Sequence, residues 1–562
     1  MHKRCRQKYP LKYDVLLFEI NGSMKKLRIV SQGGFLLIFL FLFIQTESKG
    51  DDTLGYPVRL FLDFDPFIFL TTFLAARAKE IPAAFFLSLL VVLMTIVLGR
   101  VFCGWICPLG TLNNLVGSFK KRRPRKKQQA LIVTDPALAK GGWGNFLANQ
   151  TSPYHLFKIK YYILIMLLIS SAFTMQLAGI MDPISLLIRS FSLSVFPLIN
   201  YGLHSMFDAL YQANIPLVVD VSESAYSFLK KHFLSFRQPH YLQAVFIGLI
   251  FFSILILNLG ERRFWCKYLC PLGALLGLLS RFSLLKREVS EGCNNCGLCD
   301  AKCQGGALSG EKQVWRNTEC FACFTCDDVC PNNAVRFGLG KKLVPSMDLG
   351  RRQVILSMLS GFIVVPLIRS TPFSGTHFSN PDLLRPPGAL EEAEFLKKCI
   401  KCGECMKVCI TNGLQPAFLE AGFEGLWSPR LIPRMGYCEY RCTLCGQVCP
   451  SGAIRRLPLQ EKMNIKIGLA MIDTGRCLPH THGIPCIVCE EVCPTSPKAI
   501  WFEEKTVKNR NGIDVIIKQP HVDLELCIGC GVCETKCPVG TKPAIYVTSI
   551  GESRSPSNQL LL

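Results

Sequence analysis

Thiolates bind soft metals, and this sequence gathers its thiols into groups. Of 29 cysteines, 24 fall in six runs of four. The runs Cys293, Cys296, Cys299, Cys303 and Cys320, Cys323, Cys326, Cys330 both read C-x2-C-x2-C-x3-C, and Pro331 follows the second. Three such thiolates wrap three corners of an iron–sulfur cubane, and the fourth cysteine reaches across to a neighbouring cluster. One cluster should therefore take Cys293, Cys296, Cys299 and Cys330, and the other Cys320, Cys323, Cys326 and Cys303. The chemistry expected of six such runs is one-electron transfer through six [4Fe–4S] clusters.

The remaining runs lie towards the end of the chain. Cys399, Cys402, Cys405 and Cys409 keep the standard spacing, with Ile410 in place of the usual proline. Cys438, Cys442, Cys445 and Cys449 carry one extra residue in the first gap, and Cys477, Cys486, Cys489 and Cys493 carry an insert containing His480 and His482. Cys527, Cys530, Cys533 and Cys537 are standard, with Pro538 after them. Nested pairing of these four runs and sequential pairing both satisfy the chemistry. The irregular runs are the inner two, which favours nesting. The histidines read as loop residues rather than ligands. Short strand signals follow the runs at Ala334-Val335, Ala453-Ile454, Ala499-Ile500 and Ala544-Ile545.

Other uses of cysteine fit poorly. Disulfide frameworks belong to short secreted domains, and structural zinc favours paired C-x2-C knuckles over runs of four. The formal charge of +22 raises the question of a nucleic-acid partner. However, much of it flanks apolar runs, as at Lys25, Lys26, Arg28 and the block from Lys120 to Lys127. No basic face interleaved with aromatics appears, so no nucleic-acid partner is expected.

The elements that position the thiols divide the chain by hydropathy. Apolar stretches at Ile29–Gln45, Ile81–Leu98, Tyr161–Leu177 and Leu242–Leu259 approach the roughly 20 residues needed to span a bilayer. A shorter fifth runs from Val354 to Ile368. The first four form two copies of one unit: a span, Asp-Pro, a span, an arginine-bearing edge, then C-x3-C-P-L-G. The landmarks are Asp65, Arg100, Cys103, Cys107 and Pro108 in the first copy, and Asp182, Arg263, Cys266, Cys270 and Pro271 in the second.

The expected fold is thus a membrane α-helical half, built as two parallel two-helix repeats, with α+β ferredoxin-like modules binding [4Fe–4S] clusters. Residues 1–290 form the membrane domain and 291–345 a two-cluster module. Residues 346–378 form the fifth segment and linker, 379–550 a four-cluster module, and 551–562 a disordered tail. Positive charge marks the cytoplasmic side. It places the N-terminus and residues 291–345 in the cytoplasm of an inner-membrane protein and the last module outside. Arg351-Arg352 ahead of an apolar run also reads as a twin-arginine export signal.

Cys103, Cys107, Cys266 and Cys270 form a possible additional metal site. At i,i+4 spacing on a helix each pair shares a face, and two pairs facing each other could hold a metal or cluster or act as a dithiol relay. Asp65 and Asp182 are expected on the opposite side of the membrane, as helix caps before proline or as proton acceptors. No C-x-x-C-H occurs, so no haem is expected. That leaves roughly 30 Å of hydrocarbon between the two modules without a bridge. Cys5 reads as incidental.

The segments VFCGWICPLG (101–110) and ERRFWCKYLCPLG (261–273), with the module at 293–330, resemble the NapH-type membrane quinol dehydrogenase family and share C-x3-C-P motifs with NosR-type proteins. The stretch RPPGALEEAEFLKKCIKCGEC (385–405), with the later runs, resembles the NapG/MauM-type polyferredoxins. The chain looks like a fusion of the two. The resemblance implies that quinol, as diffusible donor from the quinone pool, is oxidised. Electrons would then pass to an extracytoplasmic reductase or cytochrome subunit. The rival reading is a metal-handling or oxidase/reductase assembly factor that uses the C-x3-C-P cysteines.

Overall fold

A computed structural model describes residues 24–48, 52–77, 82–119, 153–212, 216–235, 237–294, 296–308, 315–340, 349–369, 380–508, 514–555 and 558. Cys5, Ile81, the 120–127 block, Lys341 and Lys342 lie outside these residues.

The first copy of the repeat comprises α1 (Met24–Gln45), α2 (Pro66–Ala75), α3 (Ser88–Leu98, entered through a tight turn at Ala83–Leu87) and α4 (Pro108–Ser118). The second comprises α5 (Pro153–Ala172), α6 (Pro183–Ser190), α7 (Phe196–Gln212), α8 (Pro216–His232), α9 (Ala244–Gly260), α10 (Phe264–Tyr268) and α11 (Pro271–Ser280). A π turn at Phe191–Val195 joins α6 to α7. Finally α12 (Arg351–Arg369) lies along α5, and Gly361 admits the α5 backbone at Met166.

Among the described residues three helices are long and apolar enough to cross a membrane: Met24–Gln45, Pro183–Gln212 and Arg351–Arg369. Shorter apolar helices occupy Pro66–Ala75, Ala83–Leu98, Ala244–Gly260 and Pro271–Ser280. The helix through Arg189 was not anticipated from sequence, because Arg189, three alternating serines and Pro197 dilute its hydropathy. Each copy therefore holds more than two helices. The short α2 and α6 begin at the Asp-Pro pairs, where proline suits the first helical turn and the aspartate caps it.

Residues beyond the bundle form two modules, each built on short antiparallel pairs. In the first, β1 (Leu285–Val289) pairs with β2 (Val335–Leu339), so its sheet starts a few residues before the expected boundary. In the second, β3 (Leu414–Pro416) pairs with β4 (Pro429–Leu431), and β5 (Leu469–Ile472) pairs with β8 (Ile545–Thr548). A longer hairpin joins β6 (Ile500–Lys508) to β7 (Asp514–Val522). Three strand signals begin β2, β6 and β8, while Ala453-Ile454 makes only a single bridge, to Ala389.

The modules sit at opposite ends of α1. At its start, Lys25 pairs with Asp328 at 2.7 Å and Arg28 donates to Gln304 at 3.0 Å. Just past its end, the Thr46 carbonyl accepts from Lys407 of the second module at 2.8 Å. Twenty-two helical residues place these ends about 33 Å apart. Two glycines allow the closest approaches. A side chain on Gly104 would strike the Phe321 carbonyl, and one on Gly179 the Ile400 carbonyl.

The tail differs from expectation. Arg554 donates to Glu392 at 2.8 Å and to Glu552 at 2.6 Å, which pins residues after 550 to the second module. Residues 559–562 lie outside the described set.

Candidate iron–sulfur centres

Each run folds as a loop closed by one helical turn that carries its third cysteine. The turn is entered from a left-handed residue in several runs: Gly297, Gly403 and Gly531, at φ +74°, +87° and +82°. Backbone amides then point at sulfur. Ala307 N–H donates to Cys303 Sγ at 3.3 Å, Ala334 to Cys330 at 3.3 Å, Ile454 to Cys449 at 3.4 Å and Ala544 to Cys537 at 3.4 Å. Such bonds favour the thiolate and tune a cluster's potential.

The thiols sort by their mutual electrostatics. Cys303 stands with Cys320, Cys323 and Cys326. In the second module, Cys449 joins Cys399, Cys402 and Cys405, while Cys409 joins Cys438, Cys442 and Cys445. One cavity is lined by Cys527, Cys530, Cys533 and Cys493, and another by Cys477, Cys486, Cys489 and Cys537. The pairing is sequential, first run with second and third with fourth, and the nested expectation is wrong. The irregular gaps lie within runs; what decides pairing is which helical turns pack together. His480 is held by the Pro520 carbonyl at 3.1 Å.

The groups form a line. The Cys399 group abuts the bundle, where Arg189 donates to the Lys401 carbonyl at 3.0 Å. The next group touches the Cys527 group, because Cys438 N–H donates to the Cys530 carbonyl at 2.8 Å. The Cys477 group is the far end. Burial, reinforced by neighbouring thiols, pushes Cys326 and Cys489 up to about 12. Burial likewise pushes Cys477 to about 11. These thiols stay protonated at neutral pH until a metal displaces the protons.

Inside the bundle, Cys103, Cys107, Cys266 and Cys270 are all buried and converge in one region. They do not lie in pairs on continuous helices. Proline after each motif forces an extended backbone on Cys107 and Cys270, ψ 117° and 111°, so each becomes the cap of the next helix. Cys107 Sγ accepts from Gly110 N–H at 3.4 Å, Cys270 from Gly273 at 3.2 Å, and Cys266 from the Asn113 amide at 3.6 Å. Among the described residues no three Cys, His, Asp or Glu side chains close round a single ion, in these motifs or in the six runs.

Asp65 accepts from Phe67 and Ile68 N–H at 2.8 and 3.2 Å, and Asp182 from Ile184 and Ser185 at 3.0 and 2.7 Å. The other oxygen of each carboxyl, Asp65 Oδ2 and Asp182 Oδ1, is buried without a hydrogen-bond partner. The two side chains lie within electrostatic reach of each other, and Asp182 within that of Cys107. The two caps are buried and lie close together towards the second module: Gly179, three residues before Asp182, meets the Ile400 carbonyl, and Asp63, two residues before Asp65, is near Glu404. Spacing alone gives the arginine ahead of each C-x3-C but not the buried cluster that Arg100, Lys160 and Tyr161 form round Glu319.

The 4Fe-4S binding domain model matches residues 80–127 and 241–290, which contain the two C-x3-C-P motifs, and a 4Fe-4S dicluster domain model matches 482–541. The methylamine utilization ferredoxin-type protein MauM of Methylorubrum extorquens is 37% identical over 161 residues, covering 28% of this chain and 69% of that protein. The chain belongs to the NapG/MauM ferredoxin-type family. The ferredoxin-type protein NapG of Escherichia coli is 35% identical over 167 residues, 29% of this chain and 69% of its own. MauM of Paracoccus denitrificans is 31% identical over 192 residues, 34% and 80% respectively. No solved structure matches. This NapG/MauM-type chain is an iron–sulfur electron-transfer protein, and the helices ahead of its cysteine-rich parts are apolar.

Proposed function

We propose that the protein is a membrane-spanning electron carrier that takes electrons from quinol and delivers them to an extracytoplasmic reductase through six [4Fe–4S] clusters. The observation that carries this reading is the placement of two cysteine-rich modules at the two ends of α1, about 33 Å apart. That separation matches a hydrocarbon core of roughly 30 Å. The outward faces between the modules support it: Leu37, Leu93, Val245, Leu249, Ile256 and Leu367 are each more than half exposed. A soluble protein rarely leaves so much apolar surface uncovered.

In this reading residues 1–290 and the fifth segment (346–378) are embedded, 291–345 face the cytoplasm and 379–550 face outward. Arg351-Arg352 then serves as a cytoplasmic anchor or an export signal for the folded module. Bound clusters supply one-electron steps, so the two electrons of each quinol leave singly and its two protons are released. The protein's residues hold the thiolates, aim amides at sulfur and keep water from the buried groups. The line from the Cys399 group to the Cys477 group suits delivery to a partner docked at the far end.

Sidedness tests the proposal. In sealed right-side-out vesicles, added protease should cut the 379–550 module and spare 291–345, with the reverse in inverted vesicles. Cleavage of both modules from one side would contradict a spanning arrangement.

A further inference from the structure

Four buried thiols require an explanation that packing alone does not give. Arg100 and Arg263 are both fully buried beside them. Each guanidinium crosses to the other copy of the repeat. Arg263 Nη1 donates to the Cys103 carbonyl at 2.8 Å, while Arg100 Nη2 fills the space where a side chain on Gly273 would begin. Yet Nε and Nη2 of both arginines have no hydrogen-bond partner. Buried guanidiniums with unpaired donors are costly unless negative charge lies nearby. The nearest carboxylate, Glu319, is bonded by Arg100 Nη1, Lys160 and Tyr161.

We propose that Cys103, Cys107, Cys266 and Cys270 together hold one further iron–sulfur cluster, two ligands from each copy, with Arg100 and Arg263 balancing its charge. This centre passes electrons through the bundle between the two modules. Four thiolates around a dipositive iron–sulfur core leave two negative charges, which two guanidiniums offset. The amides of Gly110 and Gly273 serve sulfur as amides do in the runs.

The position makes it a relay. The Phe321 ring, one residue from Cys320, lies between the two guanidiniums, with Arg100 at 4.7 Å and Arg263 at 4.9 Å from its centroid. One continuous buried core contains these four cysteines together with Cys323 of the first module and Cys402 of the second. The centre accepts one electron from a reduced cluster on one side, becoming reduced by one unit, and returns to its oxidised state when it gives that electron to the other side. No proton or further reactant is needed.

This inference rests on the reading that both modules carry clusters across a membrane, but not on quinol as donor. The test uses the full chain purified anaerobically, without quinol. Relative to wild type, a Cys103→Ser/Cys266→Ser variant should lose the iron and sulfide of one cluster, with one Mössbauer component gone and the rest unchanged. Arg100→Lys should keep that component, showing that the bundle folds, and shift its midpoint potential. In vesicles of mixed orientation, dithionite added outside should reduce clusters on both sides in wild type but only the outward-facing ones in the cysteine variant. Unchanged iron in the cysteine variant would overturn the site. Lost iron with undiminished reduction of the inward-facing clusters would overturn the relay. Failure of quinol alone to reduce the protein would affect only the donor.

Discussion

The Tyr161 hydroxyl donates to the Glu319 carboxylate at 2.8 Å, joining α5 of the bundle to the loop that leads into Cys320. Lys160 and Arg100 bond the same carboxylate, and all four side chains are buried. Removing the shared acceptor leaves two buried cations with a lost partner, which typically costs about 3–5 kcal/mol. Glu319→Ala should therefore release the first module and destroy the cluster signals of the Cys320 group. Tyr161→Phe removes one bond to a charged group and should cost only about 1.5–3 kcal/mol in denaturant unfolding.

Gly179 controls docking at the other end. Valine there would collide with the Ile400 backbone, which flanks Cys399 and cannot move without moving that group's ligands. Gly179→Val should expose the second module's inner face, seen as faster amide exchange at 400–407, while α1 remains protected. The corresponding Gly104→Val should loosen only the first module.

Much of this is legible in the sequence because cluster ligation is local: four cysteines within about a dozen residues, or 17 in the run from Cys477 to Cys493, declare themselves by spacing. The duplication is legible for the same reason, through Arg100, Cys103 and Cys107 against Arg263, Cys266 and Cys270. Contacts between distant segments are not. Sequential pairing depends on packing between helical turns around Cys405 and Cys445, and around Cys489 and Cys533. The nearness of Asp65 to Asp182 depends on how two short helices, far apart in sequence, are placed. Only the first strand of the β6–β7 hairpin is legible, since Lys518, Gln519, Pro520 and His521 break the apolar alternation of the second.

A pH effect follows from Glu392. Burial would raise its carboxyl, but the guanidiniums of Arg385 and Arg554 outweigh that and hold it below the ordinary glutamate range. Arg385 contacts it at 2.6 and 3.0 Å. A depressed carboxyl contributes stability that is complete above its unfolded value and is lost as pH falls through its folded value. Glu392→Gln should lower the second module's stability at pH 7, and the gap from wild type should close below roughly pH 4. A gap that is constant with pH would rule out the charge as its source.

Cluster removal should affect the parts unequally. The modules rest on two-stranded sheets, which are marginal in water, and on thiols that burial keeps protonated without metal. Stripping iron with a chelator under oxidising conditions should abolish the strand signal while the bundle keeps its helicity by circular dichroism. Retention of native strand content without iron would show that the modules do not depend on their clusters.

The most direct measurement is anaerobic addition of a menaquinol analogue to the purified full-length protein, with cluster reduction followed by electron paramagnetic resonance. Reduced-cluster signals should appear rapidly, including those of the Cys399 to Cys537 groups. Intact clusters that stay oxidised with quinol, yet fill from a low-potential cytoplasmic donor, would contradict quinol as donor.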